Sequence, residues 1–105
     1  MEHPLQITMR HVDDLDRESL RDTIEGHTDK LDGQVARITS CHVTLEGPSP
    51  HHKHGGDWEI KIDLHLFRGE SLVQSEAGPH AAELIQAAFK SLRRRAHEAI
   101  DKMSH

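Results

Sequence analysis

From residue 78 to the C-terminal end, apolar residues recur at three- and four-residue intervals: Ala81, Leu84, Ile85, Ala88, Phe89, Leu92, Ala96, Ala99, Ile100 and Met103. That spacing lays them along one stripe of a 3.6-residue repeat and predicts a long amphipathic helix from Gly78 to about Met103. Gly78 and Pro79 mark its start, with proline expected at the first helical position, where its missing amide hydrogen costs nothing. At about 100° per residue, Lys90, Arg93, Arg94 and His97 fall opposite the stripe, and Arg95 comes round to its edge.

The remaining elements follow from the same two periods. Leu5, Ile7 and Met9 alternate with polar residues as one face of a short strand. Asp16 is placed to cap a helix starting at Arg17, with Leu15 and Leu20 spaced to close over the cap as a hydrophobic staple. That helix carries Leu20, Ile24 and Leu31 on one side and ends near Gly33. Gly26, His27 and Thr28 interrupt its stripe, so it should be the less stable helix. Cys41, Val43 and Leu45 mark a second strand. Trp58, Ile60, Ile62, Leu64 and Leu66 alternate with Glu59, Lys61, Asp63 and His65 in a third, the clearest period-two signal in the chain. Gly69 supports a turn, and Ser71 to Ala77 reads as a fourth, weaker strand.

The order β-α-β-β-β-α predicts a right-handed parallel crossover between the first two strands, followed by an antiparallel meander. Both helices would then cover one face of a four-stranded mixed sheet, giving an α+β two-layer sandwich. At 105 residues the chain has room for one core, so residues 1–105 are expected to form a single domain.

Composition narrows the function. With no tyrosine, one tryptophan and two phenylalanines, the chain offers almost no stacking platforms for bases, and its core must be aliphatic. No apolar run reaches the roughly 20 residues of a membrane helix, and Met1-Glu2-His3-Pro4 does not read as a signal peptide, so a cytoplasmic protein is expected. Cys41, the one cysteine, reads as a small buried hydrophobe.

A net charge of -5 argues against general nucleic-acid binding, but the charge is unevenly spread. Between Asp13 and Asp32, eight acids stand against Arg17, Arg21 and Lys30. In the last helix the balance reverses, with Lys90, Arg93, Arg94, Arg95 and Lys102 against Glu83, Glu98 and Asp101. The run Arg93-Arg94-Arg95 fits either a solvated helix end, favoured by the dipole, or a phosphate-binding face.

Eleven histidines are enough to reverse the sign of the net charge on acidification. His51, His52 and His54 lie among Gly47, Pro48, Pro50, Gly55 and Gly56, which reads as a polar hairpin loop. The His-x-His pair could share a Zn(II), Ni(II) or Cu(II) ion, with His42 or His65 as a third ligand if the fold brings one near. A flexible spacer explains the same composition, and no cofactor is predicted. Neither a nucleophile elbow, a glycine-rich phosphate loop nor a His-Glu-x-x-His helix is present, so no catalytic activity is expected.

The order of elements, with Ile7-Thr8-Met9-Arg10-His11, Glu18-Ser19-Leu20-Arg21, Lys30-Leu31 and Arg37-Ile38-Thr39-Ser40-Cys41, resembles the bacterial ribosome hibernation promoting factor and ribosome-associated inhibitor family. The likeness spans nearly the whole chain. The histidine-rich loop and Ile62-Asp63-Leu64 are similar to a subset of that family. The resemblance implies a factor that lodges on the small ribosomal subunit, near the messenger and transfer RNA channel, and silences translation when growth stops. It further implies ribosomal RNA contacts through basic helix faces, here Lys30, Arg37, Lys90, Arg93 and Arg94. The short chain leaves no room for the dimerisation domain of longer members, and its own oligomeric state is open. Two departures stand out: Ala82 replaces the tyrosine that usually opens the second helix, and His27 occupies a place where lysine is common. The alternative is a diverged acidic relative that uses the same fold to bind a protein or a metal.

Overall fold

The computed structural model describes residues 4–49 and 56–103. In chain order the elements are β1 (Leu5–Arg10), α1 (Asp14–Gln34), β2 (Ile38–Glu46), β3 (Trp58–Leu66), a 3-10 turn (Phe67–Gly69), β4 (Ser71–Gly78) and α2 (Ala81–Met103). The strands lie side by side in the order β1-β2-β3-β4. β1 and β2 run parallel, Leu5 opposite Cys41 and Met9 opposite Leu45. Both later pairings are antiparallel. The sheet is therefore mixed, and the two helices cover one face of it, as the hydrophobic pattern predicts.

Period-two alternation decides which side of each strand is buried. On β3, Ile60, Ile62, Leu64 and Leu66 are buried, and across the ladder they meet Leu45, Val43, Cys41 and Ile38. Each such aliphatic side chain contributes about 1.5–3 kcal/mol by leaving water. α2 sets Ile85, Ala88, Leu92 and Ala96 on this layer, all fully buried. The two alanines let the helix backbone approach the sheet. Trp58 packs against the core from its edge, on the side its strand parity assigns.

β4 departs from the pattern, because Gln74 and Glu76 share the helix-side face with Leu72. Arg95 resolves the polarity: its guanidinium donates to the Val73 carbonyl at 2.6 Å and to Gln74 Oε1 at 2.7 Å. One member of the three-arginine run is thus spent on fastening α2 to the edge strand.

Helix starts differ from the sequence expectation. α1 begins at Asp14 with Asp13 in the cap position, and the Asp13 carbonyl accepts from the amides of Asp16 and Arg17 at 2.9 and 3.1 Å. Asp14 and Asp16 thereby enter the first turn, where the helix dipole favours acids. Leu15 is 95% exposed, so the expected staple with Leu20 does not form. α2 begins at Ala81, with the His80 carbonyl taking the Leu84 amide at 3.0 Å. Pro79 accordingly follows the end of β4 instead of opening the helix. The apparent gap in the α1 stripe closes at Thr28, buried with its hydroxyl donating to the Glu25 carbonyl at 2.8 Å.

Candidate nucleic-acid interface

α1 and α2 pack side by side, and the seam between them is a groove of about 180 Å³ lined by His27, Lys30, Leu31 and Gln34 of α1 and by Gln86, Phe89, Lys90 and Arg93 of α2. Its floor is apolar: Leu31 and Phe89 are buried. Its walls are cationic, and among the described residues no carboxylate lines it. Three of the five basic residues singled out by sequence, Lys30, Lys90 and Arg93, are brought together here from elements about 60 residues apart in the chain, a separation of the same size as that between Arg93 and its partner Gln34.

Helical spacing explains the convergence. Each of His27, Lys30, Leu31 and Gln34 has another of that set three or four residues away on α1, as does each of Gln86, Phe89, Lys90 and Arg93 on α2, so each set lies along one side of its helix. Arg93 is half-buried. Its guanidinium donates to Gln34 Oε1 at 3.0 Å, turning a residue that an ideal helical wheel sends outward into the seam. Arg94 is exposed on the outer surface of α2, away from the groove. Arg37 lies in the turn after α1, exposed, with a left-handed φ of 72°; its carbonyl accepts the Phe67 amide at 2.7 Å.

His27 is the group that sequence reading missed. Its ring stacks on Phe89, centroids 5.4 Å apart and planes inclined by 12°. Burial, and then the charge of Lys30, holds its pKa below the ordinary 6.5. A signal for it exists in the sequence: residue 27 follows Leu20 and Ile24 by seven and three and precedes Leu31 by four, which is stripe spacing.

The flank of α1 turned away from the groove is acidic. Asp14, Glu18, Asp22, Glu25, Asp29 and Asp32 follow one another at intervals of three or four residues and form a single stripe along the helix. Arg17 turns to Asp14, 3.4 Å away, at the exposed helix start. The molecule therefore presents a cationic seam beside an anionic ridge.

The sequence profile of the family described as Sigma 54 modulation protein / S30EA ribosomal protein matches residues 5–104. The chain belongs to this family. Two solved structures carry the same fold. One, a ribosomal subunit interface protein from Coxiella burnetii, superposes with a TM-score of 0.72 at 13% identity, over 92% of this chain and 97% of that one. The other, the N-terminal domain of Protein Y from Thermus thermophilus, gives 0.70 at 19% identity, over 91% and 96%. At these identities the likeness is one of fold. No curated protein sequence matches the chain.

Within this S30EA fold, the metal candidates His51, His52 and His54 lie outside the described residues. His42 and His65 point to the open face of the sheet, and the β2–β3 register sets His65 opposite Ser40, at the end of the ladder away from Glu46 and Glu59. Seven residues of strand separate it from Trp58, about 24 Å at roughly 3.4 Å per residue. His42 shares a 3.0 Å hydrogen bond with the Thr8 hydroxyl. Among the described residues, no three His, Cys, Asp or Glu side chains are grouped to hold a metal, and no helix is long and apolar enough to cross a membrane.

Proposed function

We propose that this chain is a ribosome-associated factor that silences translation, held on the small subunit by ribosomal RNA phosphates along the α1–α2 groove and the adjoining outer face of α2. Membership of the S30EA family supports the ribosome as partner. The observation that carries the interface is the convergence of Lys30, Lys90 and Arg93 on one groove that, among the described residues, no carboxylate lines. Contacts of this kind position a protein on a folded RNA without reading its sequence, which suits a chain poor in aromatic residues. The acidic stripe of α1 repels the same backbone, so docking is one-sided: α2 and the seam face RNA, and the outer flank of α1 faces away. Arg37 and Arg94, exposed outside the groove lining, extend the contact.

The test is co-sedimentation with isolated small subunits at low salt, using wild type, the triple reversal Lys90→Glu, Arg93→Glu and Arg94→Glu, and the double reversal Arg17→Glu and Arg21→Glu. Circular dichroism establishes that each variant is folded. The triple reversal should abolish binding and the double should weaken it far less. A wild type that stays in the supernatant, or two variants that lose binding alike, would transfer support to a diverged acidic relative with a different partner.

A further inference from the structure

Beyond its three cations the groove holds one imidazole. His27 lines it, half-buried, with one ring face covering Phe89, itself only 4% exposed. Among the described residues, neither ring nitrogen of His27 has a hydrogen-bond partner. The charged and polar groups that face it are Lys30 and Gln34 on its own helix and Gln86, Lys90 and Arg93 on α2. The groove, about 180 Å³, opens to solvent along the seam, so a backbone phosphate can reach its lining from outside.

We propose that His27 is a phosphate ligand of this groove, acting as the imidazolium, so that the groove grips an RNA phosphodiester more tightly as the pH falls from about 8 to about 6. The inference rests on reading the groove as phosphate-binding. With the ring pressed on Phe89 and Lys30 beside it, the neutral imidazole is favoured at neutral pH. A phosphate in the groove supplies the opposite charge to Lys30, Lys90 and Arg93 and an acceptor for a ring N–H, and both effects favour the proton. Linkage then works both ways: phosphate raises the pKa of His27, and protonation strengthens phosphate binding by the same factor.

Two measurements test this. In the first, the His27 ring protons are followed by NMR through a pH titration, with and without inorganic phosphate; phosphate should raise the His27 midpoint, and an unchanged midpoint would overturn the proposal. In the second, anisotropy of a labelled single-stranded RNA oligonucleotide is measured at pH 8 and pH 6, at fixed salt, for wild type, His27→Phe and His27→Lys. His27→Phe keeps a stacked ring without the proton, and His27→Lys fixes the charge. Wild type should tighten by about fivefold or more on acidification. His27→Phe should lose most of that gain, and His27→Lys should bind at pH 8 about as wild type does at pH 6. A His27→Phe response equal to wild type assigns the pH effect to the other histidines and ends the proposal. Small-subunit sedimentation separates the two readings. If wild type does not sediment while phosphate still moves His27, the ribosomal function fails and this inference stands; if it sediments and His27 is indifferent, the reverse holds.

Discussion

His27 and Phe89 lie ring on ring across the seam of the two helices, 5.4 Å between centroids and 12° from parallel. The contact joins an ionisable residue of α1 to a core residue of α2, so the packing of the helices is linked to pH. Because burial depresses the His27 pKa in the folded chain, the unfolded chain binds its proton first. The neutral ring's contribution to stability is fully present above about pH 6.5 and is lost as the pH falls through the lower folded value. In phosphate-free buffer, thermal melts of wild type between pH 7.5 and 5 should lose more stability than those of His27→Phe. A variant with the steeper acid loss would show that the ring is stabilised as the cation.

How far the sequence reveals this arrangement depends on the range of the interaction. The β3 alternation is local, and Trp58–Leu66 forms the strand with the buried parity that alternation assigns. α2 is legible for the same reason. The start of α1 is ambiguous in sequence because Asp13 and Asp16 are equally good caps by residue type, and Leu15 is apolar yet projects into solvent. The groove is not legible as a site. Lys30, Lys90 and Arg93 can each be named as cations, but which flank of α2 meets α1 is decided by how two helices share one sheet. On a wheel Arg93 faces outward, whereas a long side chain with a carboxamide acceptor in reach turns inward to Gln34. His27 reads as a break in a stripe that it in fact continues.

Two glycines with opposite surroundings give a test of packing. A Cβ on Gly47 would collide with the His11 carbonyl oxygen and lie 3.4 Å from the Trp58 ring, while the Gly47 amide already donates to the Arg10 carbonyl at 2.8 Å. Gly47→Ala should cost about 1–3 kcal/mol, because the ends of β1 and β2 must move apart. Gly26, exposed in mid-α1, has no neighbour within 4 Å of the place an added methyl would take. Gly26→Ala should therefore gain about 0.5–1 kcal/mol from helix propensity. Urea unfolding of both variants checks the signs, and destabilisation by Gly26→Ala would point to a contact the fold does not show.

Cys41 lies on the core side of β2, and burial, with a smaller push from the Asp63 charge, drives its thiol up to about 12. Since the thiolate is the nucleophile, the folded protein should resist alkylation by iodoacetamide at pH 8, and modification should appear only with unfolding. Mass spectrometry across a urea series measures it. Rapid labelling without denaturant would mean that β2 opens from the sheet well below global unfolding.

The remaining prediction separates the groove from the rest of the basic surface. A cation that neutralises a phosphate releases condensed counterions, so its removal flattens the fall of log affinity with log salt by about 0.7 to 0.9 per contact. Changing overall charge acts on affinity at every salt concentration but removes no specific counterion from the count. Lys30→Gln, Lys90→Gln and Arg93→Gln should each flatten the small-subunit binding slope by about that amount. Their losses should be unequal in affinity, since Arg93 is also bonded to Gln34 and its replacement loosens the seam. Arg94→Gln and Arg37→Gln, outside the groove, should give smaller changes of slope, and Arg17→Gln and Arg21→Gln none, because Arg17 is turned to Asp14 on the acidic helix. A salt series from about 50 to 200 mM, with binding followed by sedimentation, resolves slope from offset. If Arg17 and Arg21 flatten the slope as much as Lys30 and Lys90 do, both flanks of α1 touch RNA and one-sided docking is wrong. If only Arg94 and Arg37 change it, the contact lies on the periphery and the groove is a packing seam with no share in binding.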